Sequence, residues 1–343
     1  MGARQTYVLA AGTAFPGPLV DNAALAARFG TTGAWQQWVD TFIGTRTRHL
    51  AVDPETGKPH ATLADLGEEA GRRALTGAGL APGDIDLVVM GSATPDQLMP
   101  ATVNLIADRL GIDQVPTYQL QSGCTGAVQA LDLTRQLLST GRHRTALVLG
   151  GDVCVKHLDF DTDFAALTPA QQVNFILFGD GAGAAVLSTE PGPEAVELRH
   201  VFVRLVGLGR PPGQVVEWFG VADRDDDRAP VLEDYKAIEE SVPGLAAEAL
   251  EEVLGELDWS GGDLDYLLPP QLSGKMTETI VDRLGVPDAH EVSCVAETGN
   301  VGNAMPFVQL EKVLPWLSQG DRVAGIAIES SKWIKSGFAV EKI

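Results

Sequence analysis

Apolar and polar positions along this chain fall into two alternating rhythms, one suited to strands and one to helices. Thr6-Tyr7-Val8-Leu9-Ala10-Ala11 reads as a first strand, and Ala23 to Val39, carrying Trp35 and Trp38, has helical spacing. Thr62 to Ala78 repeats its apolar residues at intervals of three and four, with Thr62 placed as a helix cap. The turn Gly79-Leu80-Ala81-Pro82-Gly83-Asp84 then leads into the strand Ile85-Asp86-Leu87-Val88-Val89-Met90. Val115 to Gln121 predicts a short buried strand. After it, Ala127, Ala130, Leu131, Thr134, Leu137 and Leu138 predict an amphipathic helix ending near Gly141.

The same rhythm returns in the second part of the chain. Leu245 to Leu257 is helical, Trp259 to Asp263 is a turn, and Leu264-Asp265-Tyr266-Leu267-Leu268 is a strand. Gly83-Asp84-Ile85-Asp86-Leu87 is answered by Gly262-Asp263-Leu264-Asp265-Tyr266 at an offset of 179 residues. Ser122-Gly123-Cys124-Thr125-Gly126 is answered by Thr298-Gly299-Asn300-Val301-Gly302 at an offset of 176. Each of these bends precedes a helix, a small-residue turn and an apolar strand (Ala146 to Leu149; Val323 to Ile328). Two halves with one element order imply a duplicated α/β unit, with two bends facing one site from opposite sides.

Composition narrows the function classes. The chain has 343 residues, enough for a large core, and 46 acidic against 25 basic residues leave a formal charge of −21. That charge argues against nucleic acid or an anionic membrane as a partner. Three cysteines without paired spacing point to a reducing compartment, and hence to a cytoplasmic protein. No apolar run approaches the roughly 20 residues of a membrane span, and the N-terminus lacks signal-peptide flanks. Gly2 with Thr6 meets the minimal myristoylation pattern, but no second membrane signal accompanies it.

The candidate chemistry lies at Cys124. A free cysteine is commonly just a small buried hydrophobe. This one is bracketed by glycines on a strand-to-helix turn, where the backbone can bend and approach a ligand. A helix N-terminus favours thiolate over thiol, and its free amides suit the oxyanion of an attacked thioester. Other motifs are weaker. Between the halves, Asp159 to Gly244 reads as partly loop. Within it, Phe178-Gly179-Asp180-Gly181-Ala182-Gly183 has apolar flanks suggesting strand–turn–strand, which excludes the dinucleotide fingerprint. Asp159, Asp161 and Asp163 hint at a calcium loop, but Phe164 replaces its glycine and Ala170 its bidentate glutamate, so no metal is expected. Asp223 to Arg228 reads as a solvated loop.

Taken together, Thr94 to Thr102, the cysteine bend, Gly151-Asp152-Val153 and above all Phe178 to Leu187 resemble the thiolase superfamily, within it the β-ketoacyl-acyl-carrier-protein synthase III branch. The resemblance implies a five-layer αβαβα fold of two pseudo-duplicated halves (1–190, with the cysteine bend, and 191–343, with the asparagine loop) and usually a homodimer. It implies that Cys124 accepts an acyl group from a CoA or phosphopantetheine carrier-protein thioester, with no permanently bound cofactor. Trp38 is similar to the tryptophan that stacks on the donor's nucleotide end, Met99 to the residue that reaches across the dimer, and Asn300 to the family's active-site asparagine. Gln271, Ser273, Lys275 and Ser331 complete the expected substrate-binding set.

The departures from the family pattern shape the functional expectation. Condensing members carry a histidine 30 residues before the asparagine, and here that position is Pro270, which neither donates a hydrogen bond nor takes a proton. One of the two donors that stabilise the enolate of decarboxylative condensation is therefore gone. Phe42 stands where a basic residue is usual. The histidine of related Cys-His-Asp acyltransferases is Asn303 here. None of the six histidines, His49, His60, His143, His157, His200 and His290, falls in a recognised motif, and each is expected to be a surface or satisfied residue. The first expectation is an acyltransferase of specialised metabolism, moving an acyl group from Cys124 to a non-malonyl acceptor, with Asn300 and Asn303 as positioning groups and a carboxylate such as Glu297 or Glu329 as base. Alternatives are a decarboxylative condensing enzyme in which Asn303 or Gln271 replaces the lost donor, and a non-catalytic partner subunit of a ketosynthase. Arg142-His143-Arg144 and the Arg199 to Arg210 region are the candidate docking patches for an acidic carrier protein.

Overall fold

The computed structural model describes residues 4–218, 223 and 228–343. Ten strands form one continuous sheet: β1 (Tyr7–Ala14), β2 (Leu87–Ser92), β3 (Thr117–Gln121), β4 (Thr145–Asp152), β5 (Gly181–Ser188), β6 (Val196–Leu205), β7 (Tyr266–Leu268), β8 (His290–Glu291), β9 (Arg322–Glu329) and β10 (Ile334–Lys342). Their order is β8-β7-β9-β10-β6-β1-β5-β4-β2-β3. The first five strands and the last five thus share one arrangement, third-second-fourth-fifth-first. In both sets the second strand runs parallel to the third and fourth, and the fifth antiparallel to its neighbours. The halves are joined where β1 and β6 pair at only two positions, Tyr7 with Glu197 and Val8 with Val196.

Helices complete the five layers. On the outer face of the first half lies α1 (Leu63–Ala78), and on that of the second lie α3 (Tyr235–Glu256) and α4 (Gly274–Leu284). Between the two halves run α2 (Gly126–Ser139) and α5 (Met305–Val313). The first packs on β2 and β4 from one half and β6 and β10 from the other. Strands covered on both faces read as continuous apolar runs, and β4 and β5 are buried almost end to end. The apolar interior divides into an outer cluster under α1, a central cluster around α2 and α5, and an outer cluster under α3.

Several local expectations change. Thr62 does cap α1, in a reciprocal pair with Asp65. The helix expected over 23–39 is broken: Asn22–Phe29 ends at Gly30, whose φ of 62° closes the turn, and a second piece, Gly33–Trp38, follows. Phe175-Ile176-Leu177 is the end of a helix, Pro169–Leu177, not a strand, because Thr168 and Gln171 cap its start and Pro169 suits its first turn. The segment 159–244 is more ordered than a loop. It holds β5, β6 and a hairpin, Gln214–Val216 against Val231–Glu233, in which Gln214 faces Glu233. Most of the expected loop at 223–228 lies outside the described residues.

Candidate active site

Cys124 sits between β3 and α2, as the sequence predicts, but its glycines serve close packing. A Cβ on Gly126 would stand 2.5 Å from the Asn303 side chain, and one on Gly123 would stand 3.1 Å from that of Glu329. The second bend carries left-handed backbone instead, at Gly299 (φ 69°) and Gly302 (φ 52°). The two bends meet through one buried network. Asn303 Oδ1 accepts the Ala127 amide at 2.9 Å, and its Nδ2 donates to Ser122 O at 3.0 Å and to Asp152 Oδ2 at 2.9 Å. Asp152 also accepts the Asn303, Ala93 and Thr94 amides and the Thr94 hydroxyl, and burial raises its pKa. Asn303 lies behind the cysteine with its polar atoms engaged, so the expected contact with an acyl carbonyl is not formed by this side chain.

Asn300 is placed differently. It lines the main cavity with Cys124, a space of about 640 Å³ bounded also by Trp38, Phe42, Ser273, Lys275 and Ser330. Its Oδ1 accepts the Gly302 amide at 3.0 Å, which leaves Nδ2 as the donor toward the cavity. Pro270 lines a small extension of about 30 Å³ together with Cys124 and Asn300. The proline therefore lines the same small space as Cys124, at the sequence position where the family histidine is expected, and brings no imidazole to it. Gln271 is no substitute: its Oε1 accepts the amides of Cys294 and Val295, both at 2.7 Å, and its Nε2 donates to Val292 O at 2.9 Å.

The remaining expected residues divide between mouth and exterior. Ser273 caps α4 by accepting the Met276 amide, and Lys275 pairs with Glu278 at the rim. Ser331 lies behind the wall, donating to Glu329, while its neighbour Ser330 faces the cavity. Met99 is 86% exposed and lies outside the cavity of its own chain. Of the two carboxylates offered as bases, Glu297 is exposed, paired with Arg46 and away from the sulfur. Glu329 is buried beneath the bend, where its Oε2 accepts the hydroxyls of Ser122 and Thr125, both at 2.6 Å. His290 is exposed against Tyr266 and Trp316. His157 departs from expectation: its Nε2 is buried without a partner, in a side pocket of about 50 Å³ shared with Cys124, Cys154 and Gln214. Burial holds that imidazole neutral, down to about 4. In the candidate docking region Arg199 pairs with Glu197 and Glu341, Arg204 with Glu252, and Arg210 stacks on Trp333.

Electrostatics correct the expectation of a ready thiolate. Cys124 keeps intermediate exposure through the cavity. Even so, its enclosure in protein, followed by the negative charges of Glu329, Asp152 and Glu233, pushes the thiol up to about 12. The amides at the mouth of α2 do not offset three carboxyl groups. Sequence reasoning missed the third of these. Glu233 lines the main cavity, its Oε1 accepts an N–H from Gln214, and its Oε2 is buried without a hydrogen-bond partner. The only sequence signal is an acidic residue in the short run Val231-Leu232-Glu233, in a stretch otherwise poor in periodicity.

Comparison with known proteins adds three findings. Residues 118–203 match the family model described as 3-oxoacyl-[acyl-carrier-protein (ACP)] synthase III. The chain is 31% identical over 302 residues to a β-ketoacyl-[acyl-carrier-protein] synthase III of Sphingopyxis alaskensis, covering 88% of this chain and 87% of that protein. Among solved structures it is similar to AbyA1, described as a tetronic acid condensing enzyme (61% identity, TM-score 0.95, 98% and 99% of the two chains), and to the 3-oxoacyl-(acyl carrier protein) synthase III of Pseudomonas aeruginosa (27%, 0.85, 99% and 98%).

Proposed function

Because the chain belongs to the 3-oxoacyl-[acyl-carrier-protein] synthase III family, a family of condensing transferases, we propose that it joins two acyl thioesters without decarboxylation. Cys124 takes an acyl group from a CoA or carrier-protein thioester, and the acyl-enzyme is attacked by a carbon acid that is already activated. The observation that carries this reading is Pro270 beside the retained Cys124 and Asn300. Decarboxylation of a malonyl thioester generates an enolate that needs two donors. A methylene flanked by two carbonyls is acidic enough to form its carbanion by simple proton loss, so one of those donors becomes dispensable. Neither Asn303 nor Gln271, both committed to other bonds, supports the decarboxylative alternative.

Similarity to the tetronic acid condensing enzyme suggests the substrate class. A tetronic acid ring is a five-membered lactone. It follows from joining a 2-hydroxyacyl carbonyl to the methylene of a 3-oxoacyl thioester, then closing the hydroxyl onto that thioester. Both steps expel a thiol and neither requires loss of carbon dioxide. The specialised-metabolite acceptor, the homodimer, the cytoplasmic setting, the division into halves at 190/191 and the contact of Trp38 with the donor belong to the same proposal. Among the described residues no helix is long and apolar enough to cross a membrane.

The test uses lactoyl-CoA and, in parallel, acetyl-CoA with intact-protein mass spectrometry. One acyl group should add to the wild-type chain and none to Cys124→Ala. Supplying acetoacetyl-S-N-acetylcysteamine to the lactoylated protein should release a tetronic acid and N-acetylcysteamine and return Cys124 to the free thiol. Absence of any adduct from both donors rules the reading out.

A further inference from the structure

Once the imidazole is gone, the site still has to remove a proton from the acceptor. Among the described residues two carboxyl groups line the main cavity: Glu239 is exposed, and Glu233 has a buried oxygen, Oε2, that no donor fills. Glu329, nearer the bend, is filled by three hydroxyl donors. Asp152 is filled by backbone amides, a hydroxyl and Asn303. Glu233 is held through Oε1 by Gln214 across the hairpin, and the Tyr235 phenol, which donates to Asn174, lies close enough to act on the carboxyl. Glu233 shares the cavity with Cys124, and its negative charge contributes, after burial, Glu329 and Asp152, to raising that thiol. Among the described residues two imidazoles also have a buried nitrogen without a partner: His157 occupies the side pocket, and His200, on β6, lines neither space.

We propose that Glu233 is the general base of the second half-reaction, taking the proton from the acceptor methylene and returning it to the Cys124 sulfur. This rests on the acyl-cysteine reading above. The carboxylate removes the C–H proton, and the freed electron pair forms the carbon–carbon bond at the acyl carbonyl. The carbon–sulfur bond breaks, and the departing sulfur takes the proton from the Glu233 carboxyl. Both groups return to their starting forms, with no other reactant consumed. In the first half-reaction the Cys124 proton ends on the departing thiol of the donor, so that step balances with no proton left on Glu233.

The electrostatics fit the role. Burial, opposed by the Tyr235 phenol and the Gln214 amide, raises the Glu233 carboxyl to about 7, so it can both accept and give a proton near neutral pH. A thiol pushed up to about 12 is a poor leaving group as thiolate and benefits from that returned proton. Among the described residues, the titratable or charged groups around Glu233 are Cys124, Tyr235, Glu239 and Lys275 in the cavity and His157 across Gln214.

Glu233→Gln keeps the shape and the oxygen that Gln214 holds. Acylation by lactoyl-CoA, followed as a mass-shift time course, should be no slower than in wild type, because removing the Glu233 charge lowers the Cys124 thiol pKa. Discharge of the isolated lactoyl-enzyme onto acetoacetyl-S-N-acetylcysteamine should slow by about 100-fold or more, with Glu233→Asp intermediate. In wild type the discharge rate should rise with pH through about 7 as the carboxyl ionises, and that inflection should vanish in the Gln variant. Equal slowing of both steps, or unchanged discharge, overturns the proposal. A wild-type chain that forms no adduct removes the acyl-cysteine reading itself, and this inference with it.

Discussion

Cys124 lies at the turn between β3 and α2, open to the main cavity, with its thiol pKa raised. Enclosure is the larger cause of its raised pKa, and the nearest negative charge, Glu329, the next. Two outcomes follow at the residue scale. At pH 7 iodoacetamide should alkylate Cys124 more slowly than free cysteine, and Glu329→Gln should speed that reaction about tenfold per pKa unit recovered. An unchanged rate in the variant would assign the shift to enclosure alone. Cys124 and Asn300 were legible in the sequence because each lies in a glycine-marked bend at a fixed offset. Pro270 was legible as an absence. Glu233 was not, because its importance comes from an unpaired oxygen, which no local pattern encodes.

At the scale of elements, the bends are held by polar bonds more than by turn geometry. Asn303 fastens α2, the β3 end and the β4 end at once, through Ala127, Ser122 and Asp152. Truncation in Asn303→Ala would strand a buried amide and carbonyl and loosen a buried carboxylate, at a cost of about 3 kcal/mol. The expected result is a clearly lowered thermal midpoint, with any surviving acylation slowed because the sulfur is no longer fixed. A melt indistinguishable from wild type would contradict the fastening role. The same scale explains the misread segments. Periodicity found α1 and α2, whose apolar faces are regular. It ran past Gly30, and it took the end of the helix Pro169–Leu177 for a strand, because a short buried apolar run has no distinguishing period.

Across the whole molecule, two identical strand orders enclose two central helices, and the site lies where both halves contribute a bend. At the surface, Leu98 and Met99 stand 72% and 86% exposed. An apolar pair so presented suits burial against a second copy. Sedimentation velocity should show the wild type as a dimer and Met99→Asp shifted toward monomer, and a monomeric wild type would remove Met99 from any partner's pocket.

What the chain determined by itself was the duplicated α/β plan, the cysteine bend and the missing imidazole. The first two are written in spacing between residues, which survives without coordinates, and the third is what resemblance to the family implies. What only the tertiary structure decided was which polar groups are already used. Asn303 and Gln271 are spent on backbone and Asp152, Glu329 on hydroxyls, and Glu233 retains a free oxygen in the cavity. The physical reason is that hydrogen-bond satisfaction and burial depend on neighbours distant in sequence, and these together set whether a side chain holds the fold or is left to act on a substrate.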